Sequence, residues 1–217
     1  MEKCINKKSI AAIFLAHLNP LTLSHEKIIQ NLLKNYKVYV FPVRFLKDKE
    51  EINTRSFPFS FEIRKHMILE SFNYDQNVYI MDNYTFLSPY INYLPPFISL
   101  SSQRLKNNII SSIGNSNFIT YTGDRIERLL LKLFGFKPIQ AKRQSISSTN
   151  VKKLLYQSAL SDKNLSDKYN MNWNNFVSSK VSNVIRNNWN VVEHFSKIPD
   201  HTTHIFGMKF PKNGFIN

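Results

Sequence analysis

A short segment near the amino terminus constrains the fold of this chain more than any other part of the sequence. Residues 10–15 are almost wholly apolar, which is typical of a strand buried on both faces of a parallel sheet. Asn19-Pro20 ends this run, and apolar residues then recur at helical spacing between residues 28 and 33. A strand that turns directly into a helix points the free N–H groups and the positive dipole end of that helix at the turn. The segment therefore predicts a strand, an anion-binding turn and a helix.

Two polar side chains stand at the start of this predicted helix. Thr22 and His25 are three residues apart, which places both side chains over the same spot. The stretch from Ala16 to His25 resembles the first signature of the nucleotidylyltransferase superfamily, G-x-F-x-P-x-[HT]-x-G-H, and Asn19, Pro20, Thr22 and His25 fit it. The resemblance implies that His25, with Thr22 beside it, donates hydrogen bonds to nucleotide phosphates. It also implies that Ala16 and Asn19 lie against the nucleotide.

The same stretch departs from the signature at three positions. Ala16 and Leu18 replace the first glycine and the phenylalanine, and Ser24 replaces the second glycine. A side chain at a glycine position keeps the backbone further from a phosphate group. These departures keep a hypothesis of another class open, namely a non-catalytic protein that uses this fold to bind nucleotide or nucleic acid.

A second motif follows the last predicted strand. Residues 145–152 resemble the distal I-S-[ST]-[ST]-x-[IV]-[RK] motif of the same superfamily. Ser147, Ser148 and Thr149 can cap a helix and leave hydroxyl and backbone N–H groups for the β- and γ-phosphates. Lys152 adds a positive charge one turn into that helix, where many relatives carry arginine. These residues are expected to hold the leaving pyrophosphate.

Two further stretches resemble the archaeal-type nicotinamide-mononucleotide adenylyltransferases. Residues 58–68 are similar to the segment P-F-T-x-x-E-R-x-x-M-I, with Arg64 at the arginine position but without its glutamate. Gly123 and Asp124 stand in a turn after a strand, where the backbone of these enzymes reads the adenine edge. Arg64 or Lys47 is expected to supply another cation to the phosphate cluster, with pairing of Arg64 to a helix carboxylate as the alternative.

Together these resemblances imply transfer of AMP from ATP to a phosphorylated acceptor with release of pyrophosphate. Nicotinamide mononucleotide is the first expected acceptor, which would place the chain in NAD synthesis. The threonine at position 22 and the spelling of residues 148–152 favour phosphopantetheine instead, and a CTP-dependent cytidylyltransferase is a third alternative. Magnesium is expected to accompany ATP and to bridge its phosphates largely through water, so no protein metal site is predicted. Because relatives commonly assemble, a homo-oligomer is also expected.

Composition limits the remaining classes. The 29 Lys and Arg against 15 Asp and Glu give a net charge of +14, which attracts nucleotides or nucleic acid. The basic residues are spread along the chain and no nucleic-acid module is recognisable, so a nucleic-acid partner is not favoured. The single cysteine, Cys4, excludes an intramolecular disulfide, and no apolar run has membrane-spanning length. A cytoplasmic protein is therefore expected.

The alternation of apolar and helical patterns predicts an α/β protein. Strands are expected near residues 9–16, 37–43, 77–81, 117–121 and 136–140. Helices are expected near residues 23–35, 59–72, 99–113, 124–134 and 148–159, with more between 172 and 197. The resemblance adds a Rossmann-like, doubly wound parallel sheet of five strands in the order 3-2-1-4-5. Residues 1–160 would form this domain, and residues 161–217 a helical extension packed on it.

Two other features are given structural interpretations. Residues 83–98 are rich in aromatic side chains and proline and predict no regular element, and packing is a commoner role for such a loop than ligand stacking. His194, His201 and His204 are interpreted as surface histidines, because no fourth metal ligand lies at a tight spacing.

Overall fold

A computed structural model describes residues 10–94, 99–114, 117–122, 128, 131–132, 136, 138–140, 146–161, 164, 167 and 172–216. Within these ranges the chain alternates strands and helices, with 3₁₀ turns at Tyr90–Tyr93 and Asn172–Phe176. In chain order the elements are β1 (Ala11–Ala16), α1 (Leu23–Leu33), β2 (Lys37–Pro42), β3 (Arg44–Lys47), β4 (Glu50–Glu51), α2 (Phe61–Ser71), β5 (Val78–Ile80), β6 (Thr85–Leu87), α3 (Leu100–Ile113), β7 (Phe118–Thr122), β8 (Pro138–Gln140), α4 (Ser148–Leu160), α5 (Ser179–Asn187), α6 (Trp189–Lys197), β9 (Thr202–Ile205) and β10 (Met208–Pro211).

The central sheet has five strands in the order β5-β2-β1-β7-β8, and every neighbouring pair is parallel. This order is the predicted 3-2-1-4-5, so the Rossmann-like fold class is confirmed. The chain adds strands first on the β2 side of β1 and then on the β7 side. The sheet therefore changes direction between β1 and β7, and ligands of such sheets bind at the carboxyl ends of the strands at this point.

Two hydrophobic cores cover the two faces of this sheet. Residues 11–15 of β1 are at most 4% exposed, as the unbroken apolar run predicts. Alternate side chains point to opposite faces, so Ala12 and Phe14 join one core while Ile13 and Leu15 join the other. The first core includes apolar residues of α1, α2, α4, α5 and α6, and the second includes those of α3 and β10.

Polar caps fix where several helices begin. The hydroxyls of Ser60, Ser99, Ser147 and Ser178 each accept a hydrogen bond from the backbone N–H three residues later. α3 ends at Gly114, whose φ of +58° suits a residue without a side chain. The predicted helix 124–134 falls largely outside the described residues.

Two small sheets were not predicted. Strands β4, β3 and β6 form one of them, and β9 and β10 form an antiparallel hairpin. These strands have two to four residues each, which is too short for a period-of-two pattern to stand out. The loop at residues 83–98 therefore contains a strand, β6, and the region after α6 contains a hairpin as well as helices. The division into a domain of residues 1–160 and an extension of residues 161–217 stays a prediction.

Helices α5 and α6, which follow α4, pack on earlier helices of the chain. α5 lies against α2, and α6 lies against α4. Trp173 is fully buried, with its ring centroid 6.1 Å from that of Trp189. In the part of the chain that the structure describes, no helix combines the length and apolar character that a membrane crossing needs.

Candidate functional site

A cavity of about 410 Å³ opens where β1 ends and the sheet changes direction. Its walls include Ala16 at the end of β1, His25 in the first turn of α1, and residues at the start of α4. The residues that α4 and the preceding backbone contribute are Ile146, Ser147, Ser148, Thr149 and Lys152. Two helix N-termini therefore border one cavity, which is a favourable setting for a polyanion.

The turn after β1 is held from two directions. The Asn19 side chain donates to the Phe59 carbonyl (2.8 Å) and accepts from the Phe59 N–H (3.1 Å). From α4, Lys152 Nζ donates to the Asn19 carbonyl (2.7 Å) and Ser148 Oγ donates to the Pro20 carbonyl (3.0 Å). The two sequence motifs are therefore joined directly by hydrogen bonds.

The orientation of His25 is fixed by Thr22. The Thr22 backbone N–H donates to His25 Nδ1 (3.2 Å), and the Thr22 hydroxyl oxygen lies 3.0 Å from the same nitrogen. Because Nδ1 accepts, the proton of the neutral imidazole is on Nε2. Burial and the nearby positive Lys152 lower the His25 pKa to about 4. At neutral pH His25 is therefore an uncharged ring that offers one N–H donor.

Lys152 is a buried amine with little compensation for its charge. Burial lowers its pKa to about 7, repulsion from Lys209 acts in the same direction, and Asp200 opposes this only in part. His17 lies within the cavity, where loss of bulk water lowers its pKa to about 3, with repulsion from Lys152 and Arg64 adding to the effect. An anion in the cavity would relieve this repulsion.

The wall of the cavity is basic and aromatic. Lys106, Lys152 and Lys209 contribute ammonium groups, and no described Asp or Glu lines it. The rings of Phe45, Phe57, Tyr84, Phe86, Tyr93, Phe136 and Phe210 supply the aromatic part. The His17 ring stacks on Phe57 with centroids 4.7 Å apart and planes 16° apart. The cavity can therefore accept a molecule that combines negative charge with flat rings.

Comparison with solved structures identifies the fold. A bifunctional NMN adenylyltransferase/ADP-ribose pyrophosphatase from Francisella tularensis, complexed with AMP and a manganese ion, superposes with a TM-score of 0.53 at 16% identity. The match covers 90% of this chain but only 58% of that protein, so the chain spans less than two thirds of it. A protein assigned as a nicotinate-nucleotide adenylyltransferase from Vibrio parahaemolyticus gives a TM-score of 0.54 at 14% identity, covering 85% of this chain and 96% of the other.

This chain shares the Rossmann-like α/β fold of these two proteins. At these identities the likeness concerns the fold, and the argument for chemistry depends on the residues of the cavity. No family model matches the sequence, and no curated protein matches it.

The fold brings most of the sequence-predicted residues to one place. Those that line the cavity are Ala16, His25, Ser147, Ser148, Thr149 and Lys152. Asn19 and Thr22 are at most 1% exposed and lie behind this wall, where they position Lys152 and His25. Gly123 and Asp124 lie outside the described residues.

Arg64 and Lys47 are not brought to the cavity. Arg64 Nη1 donates to the carbonyls of His17 and Val43 (both 2.8 Å), and Nη2 forms an ion pair with Glu51 (3.0 Å). Arg64 is only 2% exposed. Its guanidinium therefore joins the residues that follow β1 and β2 rather than facing a ligand. Lys47 Nζ instead donates to the Asn213 side chain (3.0 Å) at the surface. The predicted phosphate contacts of these two residues do not match these positions.

Several cavity residues were missed by sequence reasoning. Lys106 and Lys209 are isolated basic residues whose neighbours in the sequence form no motif, and His17 stands at a position that the first signature leaves unspecified. Met208, Lys209 and Phe210 reach the cavity from the hairpin, far along the chain from the first motif. Only the three-dimensional packing of the hairpin shows that they belong to the site.

The histidines considered as metal ligands are exposed. His194 lies on α6, His201 precedes β9, and His204 lies on β9. Among the residues that the structure describes, no group of three His, Cys, Asp or Glu side chains is arranged to hold a metal ion.

Proposed function

We propose that this protein transfers AMP from ATP to a pyridine mononucleotide, with nicotinamide mononucleotide as the first acceptor to test, and releases pyrophosphate. The observation that carries the proposal is the convergence of His25, the N-terminus of α4 and Lys152 on one cavity at the change of sheet direction. The adenylyltransferase fold and the two motifs favour this chemistry over other uses of a basic cavity. The product with nicotinamide mononucleotide is NAD.

The reaction needs alignment more than acid–base chemistry. An oxygen of the acceptor's phosphate attacks the α-phosphorus of ATP and forms a new O–P bond. The bond between the α-phosphorus and the bridging oxygen to the β-phosphorus breaks, and pyrophosphate leaves with the electron pair. Because the attacking oxygen is already anionic, no general base is required. The protein supplies donors for the charge that accumulates on the phosphates.

His25 and α4 supply those donors. The His25 Nε2–H donates to the α- or β-phosphate, and Thr22 keeps the ring in the correct tautomer. The free backbone N–H groups of α4 and the hydroxyls of Ser147 and Thr149 hold the leaving pyrophosphate. The Ser148 hydroxyl is already bound to the Pro20 carbonyl, so its part is to position the helix.

Lys152 completes the anion site. One of its three N–H groups is donated to the Asn19 carbonyl, and the others are available to phosphate oxygens. Its pKa of about 7 means that phosphate binding and protonation reinforce each other. The amine therefore gains its full charge when the triphosphate is bound.

Magnesium is treated as part of the nucleotide substrate. Phosphate and water oxygens suit this ion, and the cavity offers hydroxyls but no described carboxylate. When bound, the ion would neutralise charge on the β- and γ-phosphates. Ser147 and Thr149 offer hydroxyl oxygens, and oxygen is the ligand atom that this ion prefers.

Pyrophosphate release tests the proposal. Wild-type protein is assayed with magnesium and either ATP or CTP, against nicotinamide mononucleotide, nicotinate mononucleotide, phosphopantetheine, phosphocholine and phosphoethanolamine. Turnover of ATP with a pyridine mononucleotide supports the proposal, and turnover only with CTP or phosphopantetheine replaces it. Absence of turnover by folded protein that still binds nucleotide would favour the non-catalytic hypothesis.

A matched pair of histidine variants assigns that turnover to the site. We expect His25→Ala to lower kcat by about 100- to 1000-fold, because one preorganised donor to the reacting phosphates is lost. His66→Ala is the control, since His66 lies half-exposed on α2 and is absent from the cavity wall. Equal activity of the two variants would contradict the role given to His25.

A further inference from the structure

The β9–β10 hairpin forms part of the wall of the proposed active site. Gly207, Met208, Lys209 and Phe210 all line the cavity. Phe210 is only 2% exposed and packs against Phe45, with ring centroids 5.7 Å apart. The hairpin is therefore anchored in the second core and holds its tip and one lysine against the cavity.

A short chain of hydrogen bonds holds Lys209 in place. Lys209 Nζ donates to Ser56 Oγ (3.0 Å), and Ser56 Oγ donates to Asp200 Oδ2 (2.7 Å). The Ser56 backbone N–H also donates to Asp200 Oδ1 (3.2 Å). The direct partner of the ammonium is thus a neutral hydroxyl, and this bond uses only one of its three N–H groups.

The surroundings of Lys209 differ from those of the proposed triphosphate site. Ser56, its anchor, is followed by Phe57, which stacks on His17 and lies 5.4 Å from Phe45 between ring centroids. Phe210, which follows Lys209 in the chain, also lies close to Phe45, and these rings line the same cavity as Lys209, whereas His25 and α4 carry the phosphate donors. Lys209 nevertheless lies close enough to Lys152 and His17 to disfavour their charged forms by electrostatic repulsion. A molecule in the cavity therefore meets phosphate donors from His25 and α4 together with aromatic rings and a further cation from the hairpin.

We propose that Lys209 binds the anionic group of the acceptor and that the hairpin thereby forms the acceptor subsite. The inference rests on the proposed function, because it assumes that a nucleoside triphosphate occupies the α1 and α4 side of the cavity. The aromatic rings that line the cavity together with Lys209 provide a surface for the flat pyridine ring. The anion bound by Lys209 is either the acceptor's phosphate, which every mononucleotide has, or a carboxylate on the ring, which only the nicotinate form has.

Kinetics with two acceptors test this assignment. For Lys209→Met, we expect the KM for the acceptor to rise about tenfold to a hundredfold, with the KM for ATP unchanged within a factor of two or so, because one charge-assisted hydrogen bond to the acceptor is lost. Lys212→Met is the matched control, since Lys212 is exposed just after β10. Titration calorimetry with each mononucleotide gives a second measurement that does not depend on turnover.

The pattern across the two acceptors identifies the anion. An equal rise for nicotinamide and nicotinate mononucleotide indicates the phosphate, and a rise confined to nicotinate mononucleotide indicates the ring carboxylate. An unchanged acceptor KM, or an equal rise in the KM for ATP, overturns the proposal.

Two further controls keep the result interpretable. If Lys209→Met does not fold, Ser56→Ala takes its place, because it removes the hydroxyl that holds the ammonium and leaves the lysine itself. A selective rise in acceptor KM then supports the subsite, and no change overturns it. Wild-type protein that neither binds nor converts any mononucleotide overturns the proposed function and this inference together. Turnover by the wild type with unaltered variants overturns this inference alone.

Discussion

Arg64 and Lys152 are both buried cations near the end of β1, yet their surroundings differ completely. Arg64 has an ion pair with Glu51 and donates to three carbonyl groups, and its pKa, lowered by burial to about 10, keeps it charged at neutral pH. Lys152 donates to one carbonyl, and its pKa falls to about 7. A buried charge that is fully paired stabilises the structure around the site. A buried charge that lacks an ion-pair partner and lies beside a cavity favours an anionic ligand.

Breaking the Arg64 pair has the largest expected effect on stability. We expect Arg64→Met to lower the free energy of unfolding by about 3–5 kcal/mol, because Glu51 is left partly buried without its partner. Arg44→Met is the control, since its 3.4 Å ion pair with the exposed Asp82 should be worth about 1 kcal/mol or less. Urea unfolding at pH 7 measures both. Adding Glu51→Gln to Arg64→Met should restore part of the loss, and no restoration would contradict the pairing argument.

Removing Lys152 should lower activity without lowering stability. We expect Lys152→Met to lower kcat by about 100- to 1000-fold, because a donor to the leaving pyrophosphate is lost. The free energy of unfolding should stay the same or rise at pH 7, since a buried charge with one hydrogen bond is removed. Lys153→Met, at the exposed neighbouring position, should change neither quantity. A strong loss of stability in Lys152→Met would show that Lys152, like Arg64, has a structural role.

The pH dependence of anion binding is the smallest of the three expected effects, and it tests the charge of Lys152 directly. Between pH 7 and 10.5 the unfolded chain holds the Lys152 proton while the ligand-free fold has released it, so stability rises with pH across this window. Anion binding acts in the opposite direction, because it requires the charged amine. We expect the affinity for pyrophosphate to fall by up to about tenfold per unit above pH 7. Calorimetry with wild type and Lys152→Met removes the titration of the ligand itself, and parallel curves would contradict this role.

The sequence predicted the central sheet because its signals are local. The apolar run of residues 11–15 and the helical spacing after Thr22 each specify an element without reference to distant residues. The two phosphate-site motifs were found for the same reason, since each combines a helix cap with polar side chains in a few adjacent residues. The resemblance then supplied the strand order, which local patterns do not contain.

What could not be predicted depends on contacts between distant segments. Arg64 was expected at the phosphates, but its actual partner, Glu51, lies on a strand of only two residues. Lys209 reaches the cavity because Phe210 packs beneath β3, and neither side chain carries a pattern that indicates this in the sequence. The residue proposed to bind the acceptor is therefore harder to predict from sequence than those proposed to hold the phosphates.

The hydrogen bonds from Lys152 to Asn19 and from Ser148 to Pro20 span 133 and 128 residues. During synthesis the first motif leaves the ribosome long before its partner helix exists. The bond from Lys209 to Ser56 spans 153 residues, so its second partner is synthesised later still. Contacts of such sequence separation also form late in refolding, because a large loop must close first. The proposed nucleotide binding should therefore appear only with the last stage of folding, and an assay for it would report the fully assembled molecule.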